Sequence, residues 1–337
     1  MKKLICSILT VCMLLSAISF SVCAAGFSDM PDDWSTDALN KAVDNGLLTG
    51  FDDNTIRPSA NVTRAQMATI MVRAFGATRE ADISDFADVK PSEWYYTYMA
   101  TAVEMGLFKG DGTNLNPGNN ITRQEAFVVL ARAFSLENGK SSALNKFNDK
   151  DSVADWAVAS VASIVSNGYA KGDNLGNLNP TNNITRAEFA VLMNNLVKQY
   201  ITKSGTYAAK DIEEGNILVR ASNVTIKDAE ITGNLIIGDN VKNGGITLDS
   251  TVVKGSVIND ENGVKVITKN TDSTPNFYIP GSSGNNNNNN NDNTGSDDNT
   301  GNDDNTGNDN TGDNTGNEGG DIGVGGDGSG IEDGGEI

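Results

Sequence analysis

The sequence predicts a mainly helical N-terminal half made of three repeats, then a small all-β region, then a disordered tail. Three observations predict it. Between Phe27 and Val197 one residue pattern runs three times, about sixty residues apart. After residue 205 the hydrophobic pattern changes from helical spacing to short β-branched triplets. From residue 281 onward the chain is almost entirely Asn, Asp, Thr and Gly.

The first 25 residues read as a secretory signal. Lys2 and Lys3 precede an apolar stretch from Leu4 to Phe20, and Val22-Cys23-Ala24 or Cys23-Ala24-Ala25 offers a cleavage site. The shortness of the apolar run favours secretion over a membrane anchor. Bulky Val22 before Cys23 argues against a lipoprotein. Cys6, Cys12 and Cys23 all fall in this segment, so the mature chain is expected to lack cysteine. The chain has no histidine. These absences exclude disulfides, thiol catalysis, the Ser-His-Asp triad and the usual zinc sites, and imply no cofactor or metal. Carboxylate-only chemistry stays open. The net charge of −19 includes thirteen Asp/Glu and no Lys or Arg in 281–337, which argues against a nucleic-acid partner.

Each repeat opens with Phe-x-Asp (Asp29, Asp88, Asp149) and continues to a Trp (Trp34, Trp94, Trp156). In the first, Trp34, Ala38, Leu39, Ala42 and Val43 recur at helical spacing, and Gly46 ends the helix. A loop with Gly50 and Pro58 leads to a second helix carrying Met67, Ile70, Met71, Ala74 and Phe75. Its counterparts carry Ala126, Val129, Leu130, Ala133 and Phe134, then Phe189, Leu192, Met193, Leu196 and Val197. One helix pair buries little; three together can share a core. Between 205 and 280, triplets such as Val224-Thr225-Ile226 and Leu235-Ile236-Ile237 are separated by Gly, Asn and Asp. They fit either a short parallel β-helix or a twisted antiparallel sheet. The tail lacks the apolar surface to fold; it would serve as a spacer, a hydrated brush or a loose calcium sink.

The second helices open on Thr63-Arg64-Ala65-Gln66, Thr122-Arg123-Gln124-Glu125 and Thr185-Arg186-Ala187-Glu188. A capping box accounts for each Thr and each Gln or Glu. It leaves over the arginine, whose charge opposes the helix dipole. Two readings remain: an anion site made of guanidinium and free helix N–H groups, or an internal ion pair with Asp29, Asp88 or Asp149. Each Trp suits either the core or the apolar face of a sugar ring. Gly50, Gly110 and Gly172 allow either close ligand approach or a turn.

Phe-x-Asp, Trp, Gly-Leu-x-x-Gly, Pro and Ile/Val-Thr-Arg-Ala-Glu together resemble the S-layer homology motif, with Ile184-Thr185-Arg186-Ala187-Glu188 the most specific stretch. The resemblance covers 27 to about 198. It implies a pseudo-threefold trimer of repeats, with a central three-helix bundle and three prongs. It also implies grooves that bind secondary cell wall polymer through pyruvylated amino sugars. The binding residues it implies are Arg64, Arg123, Arg186, Trp34, Trp94, Trp156, Asp29, Asp88, Asp149, Gly50, Gly110 and Gly172. Lys109 and Lys171 precede the loop glycine in copies two and three and add positive charge; copy one has Thr49 there, and Gln66 in place of Glu. Grooves built around copies two and three are therefore expected to bind more tightly.

The expected organisation is a signal (1–25), three repeats (26–83, 84–144, 145–204), a β-rich module (205–280) and an acidic tail (281–337). The expected function is non-catalytic anchoring at the bacterial surface. The partner would be an anionic, peptidoglycan-linked glycan, with no membrane attachment after cleavage and lateral surface-layer neighbours as further partners. The alternatives are a wall-anchored carbohydrate-active enzyme with its catalytic part in 205–280, or a structural subunit of the surface lattice.

Overall fold

The computed structural model describes residues 26–242, 244–259, 264–271 and 275–278. The expected signal and acidic tail lie outside these residues. Among those described, each repeat supplies two α-helices: α1 (Thr36–Asp44) and α2 (Arg64–Phe75), α3 (Tyr96–Glu104) and α4 (Arg123–Ala133), α5 (Val158–Ser166) and α6 (Arg186–Leu196). Thr63, Thr122 and Thr185 close full capping boxes at the starts of α2, α4 and α6. Gly46, Gly106 and Gly168 follow the first helices at φ of 67°, 70° and 76°, a left-handed stop that glycine adopts without strain.

Helices α2, α4 and α6 form the centre. Met67, Met71, Phe127, Leu130, Phe189 and Leu196 are fully buried in one continuous core. Phe75 and Phe134 meet across it with ring centroids 5.3 Å apart. The shorter helices cover this bundle by exchange: α3 packs on α2, α5 on α4 and α1 on α6. Each outer helix thus covers the central helix of the preceding repeat, and the first repeat closes the ring on the third. A triangle of backbone hydrogen bonds joins the helix starts: Val62 N–H to Ile184 O (3.0 Å), Ile121 N–H to Val62 O (2.9 Å) and Ile184 N–H to Ile121 O (3.0 Å). This gives the apolar residue before each Thr-Arg pair a role, because Val62, Ile121 and Ile184 are also fully buried.

The second region is a parallel β-helix. Its strands are β1 (Gln199–Ile201), β2 (Gly205–Ala208), β3 (Ile217–Val219), β4 (Val224–Lys227), β5 (Glu230–Ile231) and β6 (Leu235–Ile237), followed by β7 (Ile246–Asp249), β8 (Val252–Val253), β9 (Ser256–Ile258), β10 (Val266–Lys269) and β11 (Asn276–Tyr278). They stack as three sheets, β1-β3-β6-β9-β11, β2-β4-β7-β10 and β5-β8, with every pair parallel. Of the two readings left open by the triplets, the parallel one holds. Asn223, Asp228, Ser250 and Asn270 turn its corners at φ near 50–58°. An Asn ladder, Asn234 N–H to Asn216 Oδ1 (2.8 Å) and Ser256 N–H to Asn234 Oδ1 (2.9 Å), ties successive rungs. Strand β1 starts before residue 205, inside the span assigned to the third repeat. A lone triplet opened by polar Gln199 and running straight on from a helix carries little strand signal.

The two regions are docked. Ile217, Val219, Leu235, Ile237 and Val257 point into the β-helix, while Leu218, Ile236 and Ile258 on the same strands join the helical core. The β1-β3-β6-β9 face is therefore buried on both sides, as in sheets covered by helices. Arg220 fastens the contact: its guanidinium donates to the Arg73 carbonyl and, at 2.5 Å, to the Asn45 carbonyl, at the C-terminal ends of α2 and α1. A cation suits that end of a helix. Asp239 N–H donates to Phe75 O at 2.9 Å.

Candidate functional site

The arginines sit where three repeats meet. Arg64 Nε donates to Leu115 O (2.8 Å), Arg123 Nε to Leu178 O (3.0 Å) and Arg186 Nε to Ile56 O (2.7 Å). Each guanidinium rests on the loop of the next repeat around the ring. Its carboxylate partner also comes from that repeat: Arg123 meets Glu188 at 3.0 Å, and Arg64 approaches Glu125 at 3.8 Å. The ring would give Arg186 the residue at position 66, which is Gln. Among the described residues Arg186 forms no ion pair; its Nη2 donates instead to Thr49 O at 2.8 Å. Burial lowers the pKa of Arg64 and Arg186. The charge of Glu125 opposes this for Arg64; for Arg186 the charge of Arg57 adds to it and that of Asp29 opposes it. Both remain cations.

The structure bears on three readings that the sequence left open. First, the helix N–H groups are not free for an anion. Arg64 N–H and Ala65 N–H donate to Asn119 O and Pro117 O, and the same pattern repeats at Arg123 and Gln124 and at Arg186 and Ala187. Neighbouring loops thus fill the places an anion would take. Second, Asp29, Asp88 and Asp149 are not the arginines' partners. Each clamps a turn by accepting two backbone N–H bonds: Ile56 and Arg57 (2.6 and 2.8 Å), Leu115 and Asn116 (3.0 and 2.6 Å), Leu178 and Asn179 (2.8 and 2.7 Å). Third, Gly50, Gly110 and Gly172 make room for their own repeat's Phe27, Phe86 and Phe147. A Cβ would lie 2.8 Å from the Phe86 ring at Gly110 and 2.6 Å from the Phe147 ring at Gly172.

The tryptophans are not core. Trp34, Trp94 and Trp156 are 65%, 62% and 40% exposed. Trp34 of repeat 1 lines a cleft of 640 Å³ with Arg123 and Glu188 and the repeat-3 loop residues Lys171, Gly172 and Asp173; we name it cleft III after that loop. Trp94 of repeat 2 lines a smaller cleft I of 140 Å³ with Thr49, Gly50, Phe51, Gln66, Arg73 and Arg186. The same rotation assigns Arg64, the Gly110 loop and Trp156 to cleft II. There Arg64 lies 4.9 Å over the Phe108 ring, and the short helix bearing Trp156 packs on α4. Lys109 and Lys171 are exposed at equivalent loop positions. Clefts I and III each draw residues from all three repeats, so a groove is not the property of a single copy.

Sequence reasoning missed Glu125, Glu188 and Gln66, because the capping box already explained them. In fact Glu125 Oε2 and Glu188 Oε2 cap their own helices, while each Oε1 faces the preceding repeat's arginine. The signal was present: Arg at the first helical position and an acid at the third, repeated around a ring.

Known proteins share the sequence of this region. The S-layer homology domain profile matches residues 26–68, 85–127 and 146–190. A surface-layer 125 kDa protein of Lysinibacillus sphaericus is 33% identical over 58% of this chain and 17% of that protein. The S-layer protein sap of Bacillus anthracis is 31% identical over 62% of this chain and 25% of its own length. Exoglucanase XynX of Acetivibrio thermocellus is 30% identical over 51% of this chain and 16% of that enzyme. The chain spans a quarter or less of each of these relatives. The profile matches once in each repeat of the ring: the chain carries three S-layer homology domains and is a protein of the bacterial cell surface.

Proposed function

We propose that this protein is a non-catalytic anchor whose clefts hold a carboxylate-bearing wall glycan, a pyruvylated secondary cell wall polymer. The carrying observation is cleft III, where an exposed indole, a guanidinium and an ammonium from three repeats line one opening. The indole offers an apolar face for a sugar ring. Arg123 and Lys171 offer charge to a carboxylate. Arg64 and Arg186, Trp94 and Trp156, and Lys109 play the same parts in the other clefts. The aspartates and loop glycines act indirectly, by holding the loops. The β-helix serves as a cap and stand-off for the bundle rather than as a catalytic module. Lateral partners in a surface layer are the companion proposal, resting on the S-layer relatives. The test is sedimentation of the mature protein with purified walls, before and after mild acid removes pyruvyl ketals. Loss of binding after the acid step is expected, and unchanged binding contradicts the proposal.

A further inference from the structure

Clefts I and III differ in charge, and the difference has a clear origin. Cleft III contains two cations, Arg123 and Lys171, and two carboxylates, Glu188 and Asp173. Cleft I contains two cations, Arg73 and Arg186, and no carboxylate among its lining residues. Two substitutions between copies remove the carboxylates. Gln66 stands where the other repeats have Glu125 and Glu188, and Phe51 stands where they have Asp111 and Asp173. Copy one also has Thr49 in place of Lys109 and Lys171, so it loses two acids and one base; Arg73, which stands where cleft III has Asn195, restores the second cation.

In cleft III the arginine is neutralised from within by Glu188 at 3.0 Å. An incoming carboxylate there must compete with, or sit beside, a fixed carboxylate. In cleft I Arg186 is buried, lies 5.1 Å over the Phe51 ring and bonds to neutral carbonyls. The guanidinium of Arg57 lies 3.8 Å over the same ring, its charge answered by exposed Asp53. Asp29 favours the Arg186 cation from a distance, but among the described residues no carboxylate bonds to it. A cation held away from water without a bonded counter-ion is unfavourable, and a ligand anion relieves that cost.

We propose that cleft I is the preferred site for the ligand's carboxylate, with Gln66 as the residue that sets the preference. This rests on the glycan-binding reading above and deepens it.

The structure supplies its own reporters, because Trp94 lines cleft I and Trp34 lines cleft III, and the rotation relating the repeats assigns Trp156 to cleft II. The experiment labels the indole nitrogens of the mature protein with nitrogen-15 and assigns them by single Trp→Phe variants. It then follows a titration with a methyl N-acetylhexosaminide carrying a pyruvate ketal. The Trp94 signal is expected to move at the lowest concentration. Gln66→Glu should raise that concentration on the order of tenfold, the scale of one charged hydrogen bond, without moving the Trp34 curve. Glu188→Gln should bring the Trp34 curve toward that of Trp94. Trp34 or Trp156 responding first, or all three together, overturns the preference while leaving glycan binding intact. No response from any indole overturns the glycan-binding reading itself, and this proposal with it.

Discussion

The helical trimer and the β-helix are both built from repeats, yet they solve opposite problems. The trimer is a closed ring. Each outer helix covers a neighbour's central helix, each arginine rests on a neighbour's loop, and the Val62-Ile121-Ile184 triangle returns to its start. The β-helix is a linear stack in which each strand pairs only with the rung before and after it. In a ring no repeat is a module, so a binding site can be shared by three. In a stack each rung adds a similar increment, and the ends must be covered. Here the covering runs sideways: one face of the stack lies on the helical core.

The largest expected effect follows from that shared face. A chain truncated after residue 198 would expose the apolar ground now covered by Leu218, Ile236 and Ile258. Burying one such side chain is worth about 1.5–3 kcal/mol, so thermal unfolding should show a loss of several kcal/mol or aggregation. Unchanged stability would mean that the stack merely hangs from the ring. Arg220→Ala is next. It frees two helix-end carbonyls and should cost about 2–4 kcal/mol in denaturant unfolding. Asp149→Ala, which unclamps the Leu178–Asn179 turn, should cost about 1–3 kcal/mol and also weaken wall binding through cleft III.

The smallest effect is a pH dependence. Asp173 has its pKa lowered from 3.8 to about 2, first by the backbone N–H of Asn177 and then by the side chain of Asn179. Its folded pKa lies below its unfolded one. Its contribution is therefore present above about pH 4 and lost as pH falls toward 2. Asp173→Asn should remove that contribution, flattening the acid limb in melting curves by slightly lowering stability above about pH 4; the change is small because the group is exposed.

Much of this was legible in the sequence. The three capping boxes, the apolar stripes of α2, α4 and α6 and the glycine stops followed from local spacing alone, because short-range hydrogen bonds and helical period decide them. The arginines were correctly singled out as unexplained by the helix. Their partners were not found, since Arg123–Glu188 and Arg64–Glu125 connect different repeats and depend on the direction of the ring. The same holds for Asp29, Asp88 and Asp149, whose turn clamps lie about 28 residues downstream. The exposure of the tryptophans was equally hidden, because it depends on which helix each outer helix covers. The docking of the β-helix was hidden in triplets such as Ile217-Leu218-Val219 and Leu235-Ile236-Ile237. A run apolar at every position means a strand covered on both faces, and here the second cover is the helical bundle.

The central claim is that each binding cleft is assembled across repeats, and a double-mutant cycle tests it most directly. Binding of a soluble pyruvylated wall-polymer fragment would be measured for Trp34→Ala, Trp94→Ala, Lys171→Ala and the two doubles containing Lys171→Ala. Trp34 and Lys171 are far apart in sequence but line one cleft, so their effects should be coupled by about 0.5 kcal/mol or more. Trp94 lines a different cleft, so its effect should simply add to that of Lys171. Coupling of Lys171 with Trp94 but not with Trp34 would contradict the shared-cleft account.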